Sequence, residues 1–148
     1  VPFVNAAFWM IPIHVLQKVG GFCPLFYHYG EDKDFVNRLH YHQYQVGYSP
    51  QVFGNHDREY RPLTHEGFLR TESVYHLSEY VNINHPWLKA FGYGVLAVMK
   101  KALTSLISGK FQLSKDYLRM GFQLLSRSTE IQSYRKINRL SQPHYIQK

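Results

Sequence analysis

The chain has 148 residues, enough for one compact domain with a core of useful size. At 45% hydrophobic and 18% charged residues it is not a disordered chain, and its single cysteine, Cys23, excludes an intrachain disulfide framework and fits a reducing compartment. The formal net charge of +7 is unevenly spread: residues 1–84 carry six Lys/Arg against eight Asp/Glu (net −2), and residues 85–148 carry eleven against Asp116 and Glu130 (net +9). An acidic working region is thus joined to a segment that either faces an anionic partner or forms a solvated basic surface.

The chain opens Val1-Pro2-Phe3-Val4-Asn5, with no charged leader and no initiator Met, so it reads as a piece of a longer protein that starts inside a strand. The apolar run Val1 to Ile13 is the expected buried strand, with Asn5, Ala6 and Ala7 kept small. His14 to Val19 reads as a short helix stopped by Gly20-Gly21, where positive φ is cheap. An aromatic loop leads to Gly30, after which Glu31-Asp32-Lys33-Asp34 sets acids in the first turn of a helix ending near Gln43. Phe35, Val36 and Leu39 give that helix its buried stripe. Gln45 to Ser49 and Gln51 to Asn55 read as short strands around Pro50. From His65 onward the pattern is helical, broken at Asn82 to Pro86 and at Ser108-Gly109. The apolar run Ala90–Met99 meets Lys100-Lys101 well short of the roughly 20 residues a bilayer span needs, so no transmembrane helix is expected.

The most informative stretch is Gly20-Gly21-Phe22, then Phe26-Tyr27-His28-Tyr29-Gly30-Glu31-Asp32-Lys33-Asp34-Phe35, then Arg38-Leu39, Gly47-Tyr48-Ser49-Pro50 and His56. Its order and spacing resembles the second half of family-2 inverting glycosyltransferases over residues 3–60, with Cys23 standing where Asp is common and Gln43 where Gly is common. The resemblance implies an α/β fold: the C-terminal half of a GT-A, Rossmann-like domain in residues 1–64, followed by a basic α-helical region in residues 65–148.

It also implies sugar transfer, with inversion, from a nucleotide-sugar donor to a saccharide or lipid-linked acceptor, in surface polysaccharide synthesis. In-line displacement at the anomeric carbon needs a base for the acceptor hydroxyl, and a carboxylate at a helix N-terminus is aimed out of the scaffold toward a cleft. By resemblance Asp32 is that base and Glu31 positions the acceptor. Asp34 supports them, and Tyr27, His28 and Tyr29 form an acceptor platform. His56 stands where the family places a His beside a divalent metal, Mn²⁺ or Mg²⁺, and Arg58 is within reach of a diphosphate oxygen. The alternatives are plain ones: acids that only cap a helix, aromatics that only pack a loop, a structural His56, and an Arg58 neutralised by Asp57 and Glu59.

No Asp-x-Asp pair follows a strand, so the donor pocket and the main metal ligands are expected in a missing N-terminal half, without which the fragment is inactive and liable to self-associate. Two other classes compete: a basic, aromatic nucleic-acid-binding module and a non-catalytic interaction domain. The first is disfavoured because the aromatics concentrate in the acidic half and the cations in the other, where a stacking groove needs them interleaved. No nucleic-acid partner is therefore expected. The basic tail suggests a cytoplasmic protein with peripheral contact at the inner face of the cell membrane.

Overall fold

A computed structural model of the chain describes residues 1–3, 8–52, 54, 62 and 64–146. Among them every regular element is helical: α1 (Ile13–Val19), α2 (Glu31–Tyr41), α3 (His65–Val81), α4 (Trp87–Phe91), a π-helical segment (Gly92–Leu96), α5 (Ala97–Ile107), α6 (Phe111–Ser126) and α7 (Ser128–Asn138). The expected α/β, Rossmann-like GT-A half is therefore wrong for this chain, because the described residues contain no strand. The described parts of the segments read as strands, residues 8–12 and 45–49, carry neither helix nor ladder. Apolar alternation makes a strand only where a second backbone completes the hydrogen-bond ladder. Here the Val1 amino group donates to Val46 O at 2.7 Å, which is a single contact and not a sheet.

The helices follow local chemistry. Thr64 caps α3 by accepting from Gly67 N at 3.0 Å, with Glu66 in the first turn. Beyond Val81 the Asn82 side chain turns the chain by accepting from Asn84 N at 3.0 Å, and Pro86 opens α4. Gly109, at φ 71°, reverses the chain between α5 and α6. The two helices then pack antiparallel through residues at helical spacing: Val98 and Ala102 on one, Ser114, Tyr117 and Gly121 on the other. Ser114 Oγ donates to Ala102 O at 2.8 Å across this seam.

The main core lies between α3, the π-helical segment, α5 and α6, around Tyr80, Val95, Val98, Met120 and Ile131. Burying each such aliphatic side chain contributes about 1.5–3 kcal/mol. Cys23, Leu25 and Phe26 belong to the same core, so residues 65–146 are the wall on which the first part of the chain rests. A smaller cluster of Val15, Val19 and Phe35 holds α1 against α2, with Trp9, Leu39 and Tyr44 around it. Arg135 of α7 ties off the end of α3 by donating to Tyr80 O, Asn82 O and His85 O, and its burial pulls it down to about 10.

From α4 to α5 the helix is continuous, running through Lys100 and Lys101 to Ile107. Trp87–Ile107 is a 21-residue helix containing an 18-residue window of mean hydropathy 1.3, long and apolar enough, by length and composition alone, to cross a membrane, which corrects the shorter run read from the sequence. A third of that window is buried in the protein. Gly94 shows how closely: a Cβ there would stand 2.5 Å from Tyr80 Cβ of α3.

Candidate active site

The site expected from the sequence centres on the start of α2, and three features fix it there. The first is the Gly-Gly turn after α1. Gly20 takes φ 85°, Gly21 N donates to His144 O at 2.7 Å, and a Cβ on Gly20 would lie 2.5 Å from that same oxygen. The chain's last described residues therefore press on this turn, and only glycine leaves room.

The second feature is Arg38. From inside α2 it donates to Asp34 Oδ2 at 2.8 Å, to Val19 O at 2.8 Å and to Gly21 O at 2.7 Å. Arg38 and Asp34 are both almost fully buried, at 1% and 2% exposure. The guanidinium thus satisfies the orphan carbonyls at the end of α1 and locks α2 to the Gly-Gly turn. Burial pushes the Asp34 carboxyl up, against the pull of Arg38, so Arg38 is what keeps a charge tolerable at this depth. Asp34, expected to support an acceptor, is occupied inside the fold and presents no surface to a ligand.

The third is the left-handed pair Tyr29 (φ 69°) and Gly30 (φ 91°), which swings the chain into α2. Gly30 packs on Phe26 and on Val74 of α3. Lys33 pins the same turn from the other side, donating to Glu79 Oε1 of α3 at 2.8 Å with its ammonium over the Tyr75 ring. With glycine at the N-cap, no side chain caps this helix end. The acids of the first turn are held by a rigid base and pointed by it.

Glu31 and Asp32 are both half-buried. Lys33 N donates to Asp32 Oδ1 at 2.7 Å, and Glu31 Oε2 is shielded from solvent without a hydrogen-bond partner. Directly upstream, Tyr27, His28 and Tyr29 are all exposed, with the His28 and Tyr29 rings 4.0 Å apart. The structure thus brings together Glu31, Asp32 and the aromatic loop. His56 and Arg58 lie outside the described residues, as do Asn5, Ala6 and Ala7. Among the described residues no group of three or more His, Cys, Asp or Glu is arranged to hold a metal ion. Cys23, buried at 1% exposure, has its thiol pushed up to about 12 by burial and by Asp34, which makes it a packing residue and a poor nucleophile.

Beside α2 lies a groove of about 940 Å³, walled by the extended stretches before α1 and after α2. Trp9, Tyr44 and Tyr48 supply its aromatic faces, and Phe35, Val36 and Leu39 of α2 supply its apolar floor. Asp32 precedes Phe35, Val36 and Leu39 by three, four and seven residues, which places it on the same helical stripe, one turn toward the N-terminus. The groove went unread in the sequence because its walls were assigned to a buried sheet.

A second polar centre was also missed. Glu72 Oε2 accepts from Lys101 Nζ and from Tyr117 OH, and His76 Nε2 stands 3.9 Å away while His76 Nδ1 bonds to Tyr93 O at 2.8 Å. Its one sequence signal was the i, i+4 spacing of Glu72 and His76. The network ties α3, α5 and α6 into one knot.

Comparison with protein-family models, curated proteins and solved structures yields no match for this chain.

Proposed function

We propose that this chain carries the acceptor side of a sugar-transfer site, in which Asp32 takes the proton of the attacking hydroxyl and Glu31 orients the acceptor. The observation that carries the reading is the placement of Glu31 and Asp32: a half-buried carboxylate pair at an uncapped helix start, behind an exposed Tyr27-His28-Tyr29 loop and one turn before the α2 residues that floor an aromatic groove, whose lining holds neither acid nor loop. Sugars pack their C–H faces on aromatic rings, and a groove of this size lies within the usual range for ligand pockets, roughly 300–1,000 Å³. A side chain at a helix start is aimed out of the scaffold, where a base must stand to reach an acceptor hydroxyl.

The reading rests on this site and on the residue pattern, and it does without a GT-A architecture. A divalent metal (Mn²⁺ or Mg²⁺) and the donor diphosphate would complete the reaction, with His56 and Arg58, which lie outside the described residues, as the side chains of this chain suited to them. The test is saccharide binding followed through Trp9. With Trp87→Phe removing the second indole, oligosaccharide acceptors should shift the remaining Trp9 emission saturably, and Tyr48→Ala should weaken the effect. A signal that no saccharide changes removes the groove from acceptor binding.

A further inference from the structure

The hairpin of α5 and α6 has a second surface that its packing leaves uncovered. Leu96, which ends the π-helical segment, and Leu103 and Ile107 of α5 follow one another at seven and four residues; on α6, Phe111, Leu118 and Phe122 do the same. All six are exposed, Ile107 at 77%, Phe111 at 68% and Phe122 at 62%. Both stripes lie on one side of the hairpin. Lys101 and Tyr117 both reach Glu72, so α3 covers the side that bears them. Leu103 is turned about 200° around α5 from Lys101, and Phe122 about 140° around α6 from Tyr117. In an antiparallel pair in which α6 meets α5 through Gly121 against Met99 and Val98, those rotations carry both stripes to the face opposite α3.

The same face carries cations. Lys100 and Lys115 sit within the two stripes, Lys110 lies at the turn, and Arg119 stands beside Leu118; all four are exposed, and no carboxylate pairs with them among the described residues. Residues 85–148 as a whole carry eleven Lys/Arg against two acids. An apolar face interspersed with cations that no carboxylate pairs complements an anionic bilayer surface, whose headgroups meet the cationic groups while acyl chains receive the Leu and Phe side chains. Crossing the bilayer is a worse use of the same helix. Lys101 is bound to Glu72 of α3, and Gly94 is packed on Tyr80, so a span would have to strip α5 from the core.

We propose that the α5–α6 hairpin is a membrane-docking face that lays this protein flat on an anionic lipid surface. The reading is independent of the sugar-transfer site. The test is co-sedimentation of the whole chain with phosphatidylcholine vesicles, with and without phosphatidylglycerol, across a salt series. The wild-type chain should pellet with the anionic vesicles only, and less so as salt rises. Leu103→Glu/Phe122→Glu, with unchanged far-UV circular dichroism, should lower the partition coefficient by roughly tenfold or more. Ile13→Glu/Leu140→Glu, which brings the same charge change at exposed apolar positions off this face, should keep most of the binding. The proposal is overturned by a wild-type chain that ignores anionic vesicles at low salt or binds both vesicle types equally. It is also overturned by a double variant that binds as before, or by a solution dimer that L103E/F122E dissociates, which assigns the face to a second copy.

Discussion

Replacing Arg38 with Met tests the scaffold under the site. Met keeps much of the aliphatic stem and removes the guanidinium, which leaves Asp34 buried at 2% exposure with no counter-charge and strips the partners from Val19 O and Gly21 O. Breaking a buried ion pair on one side costs about 3–5 kcal/mol, and each orphaned carbonyl about 1–3 kcal/mol more. Those figures overlap, since one entering water serves several groups, so about 4 kcal/mol is the working value. Domains of this kind are stable by roughly 5–15 kcal/mol, so R38M consumes a large part of the total. Urea unfolding followed by circular dichroism reads it directly. At a slope of about 2 kcal/mol per molar, the midpoint falls by about 2 M. The double variant D34N/R38M strands no charge and should recover part of the loss. A change under about 1 kcal/mol for R38M, or a double variant less stable than R38M alone, refutes the clamp.

The knot on α3 has a pH signature. Burial pulls His76 down, and Glu72, which burial alone would raise, is carried below the ordinary carboxylate range by its bonds from Lys101 and Tyr117. Both groups bind fewer protons folded than unfolded, so stability is complete above the unfolded histidine value of about 6.5 and falls as pH drops through it and on into the carboxylate range. Urea midpoints from neutral to acid pH should show that slope, H76Q should flatten its upper part, and a wild-type curve level down to the carboxylate range contradicts it. Gly94→Ala should destabilise by about 1–2 kcal/mol through overpacking on Tyr80, whereas Gly92→Ala, whose Cβ meets nothing within 4 Å, should gain up to about 1 kcal/mol; the reverse order in thermal melts counts against the α3 packing. Cys23 should resist thiol reagents in the native protein and react fully in denaturant, and rapid native labelling contradicts its burial.

The helices were legible in the sequence wherever the signal was local. Gly20-Gly21 and Gly30 marked real left-handed turns, Gln43 takes the φ of 65° that a glycine would take at that helix end, and His65, the Asn82–Pro86 break and Ser108-Gly109 mark real boundaries. The strands were not, because an extended apolar run such as residues 8–12 states only what its backbone can do, and whether it pairs depends on a partner chain segment. The acid pair Glu31-Asp32 was legible, since a helix start is a local feature; the burial of Asp34 was not, since it depends on Arg38 reaching back to Val19 and Gly21. The same holds for Arg135, whose three carbonyl partners lie about fifty residues away in sequence. The apolar run Ala90–Met99 was visible, but the division of the helix that carries it into a buried and an exposed stripe needed the position of α3.

The central claim is that Asp32 acts as the base in sugar transfer. Nucleoside diphosphate release, followed in protein that includes residues 1–148 with Mn²⁺, a nucleotide-sugar panel and a saccharide or lipid-linked acceptor, tests it most directly. The account predicts acceptor-dependent release that Asp32→Asn lowers by about 10²–10⁴-fold in kcat, with donor KM and thermal stability unchanged. No acceptor-dependent release with any donor, or turnover near wild type in a folded D32N protein, contradicts it.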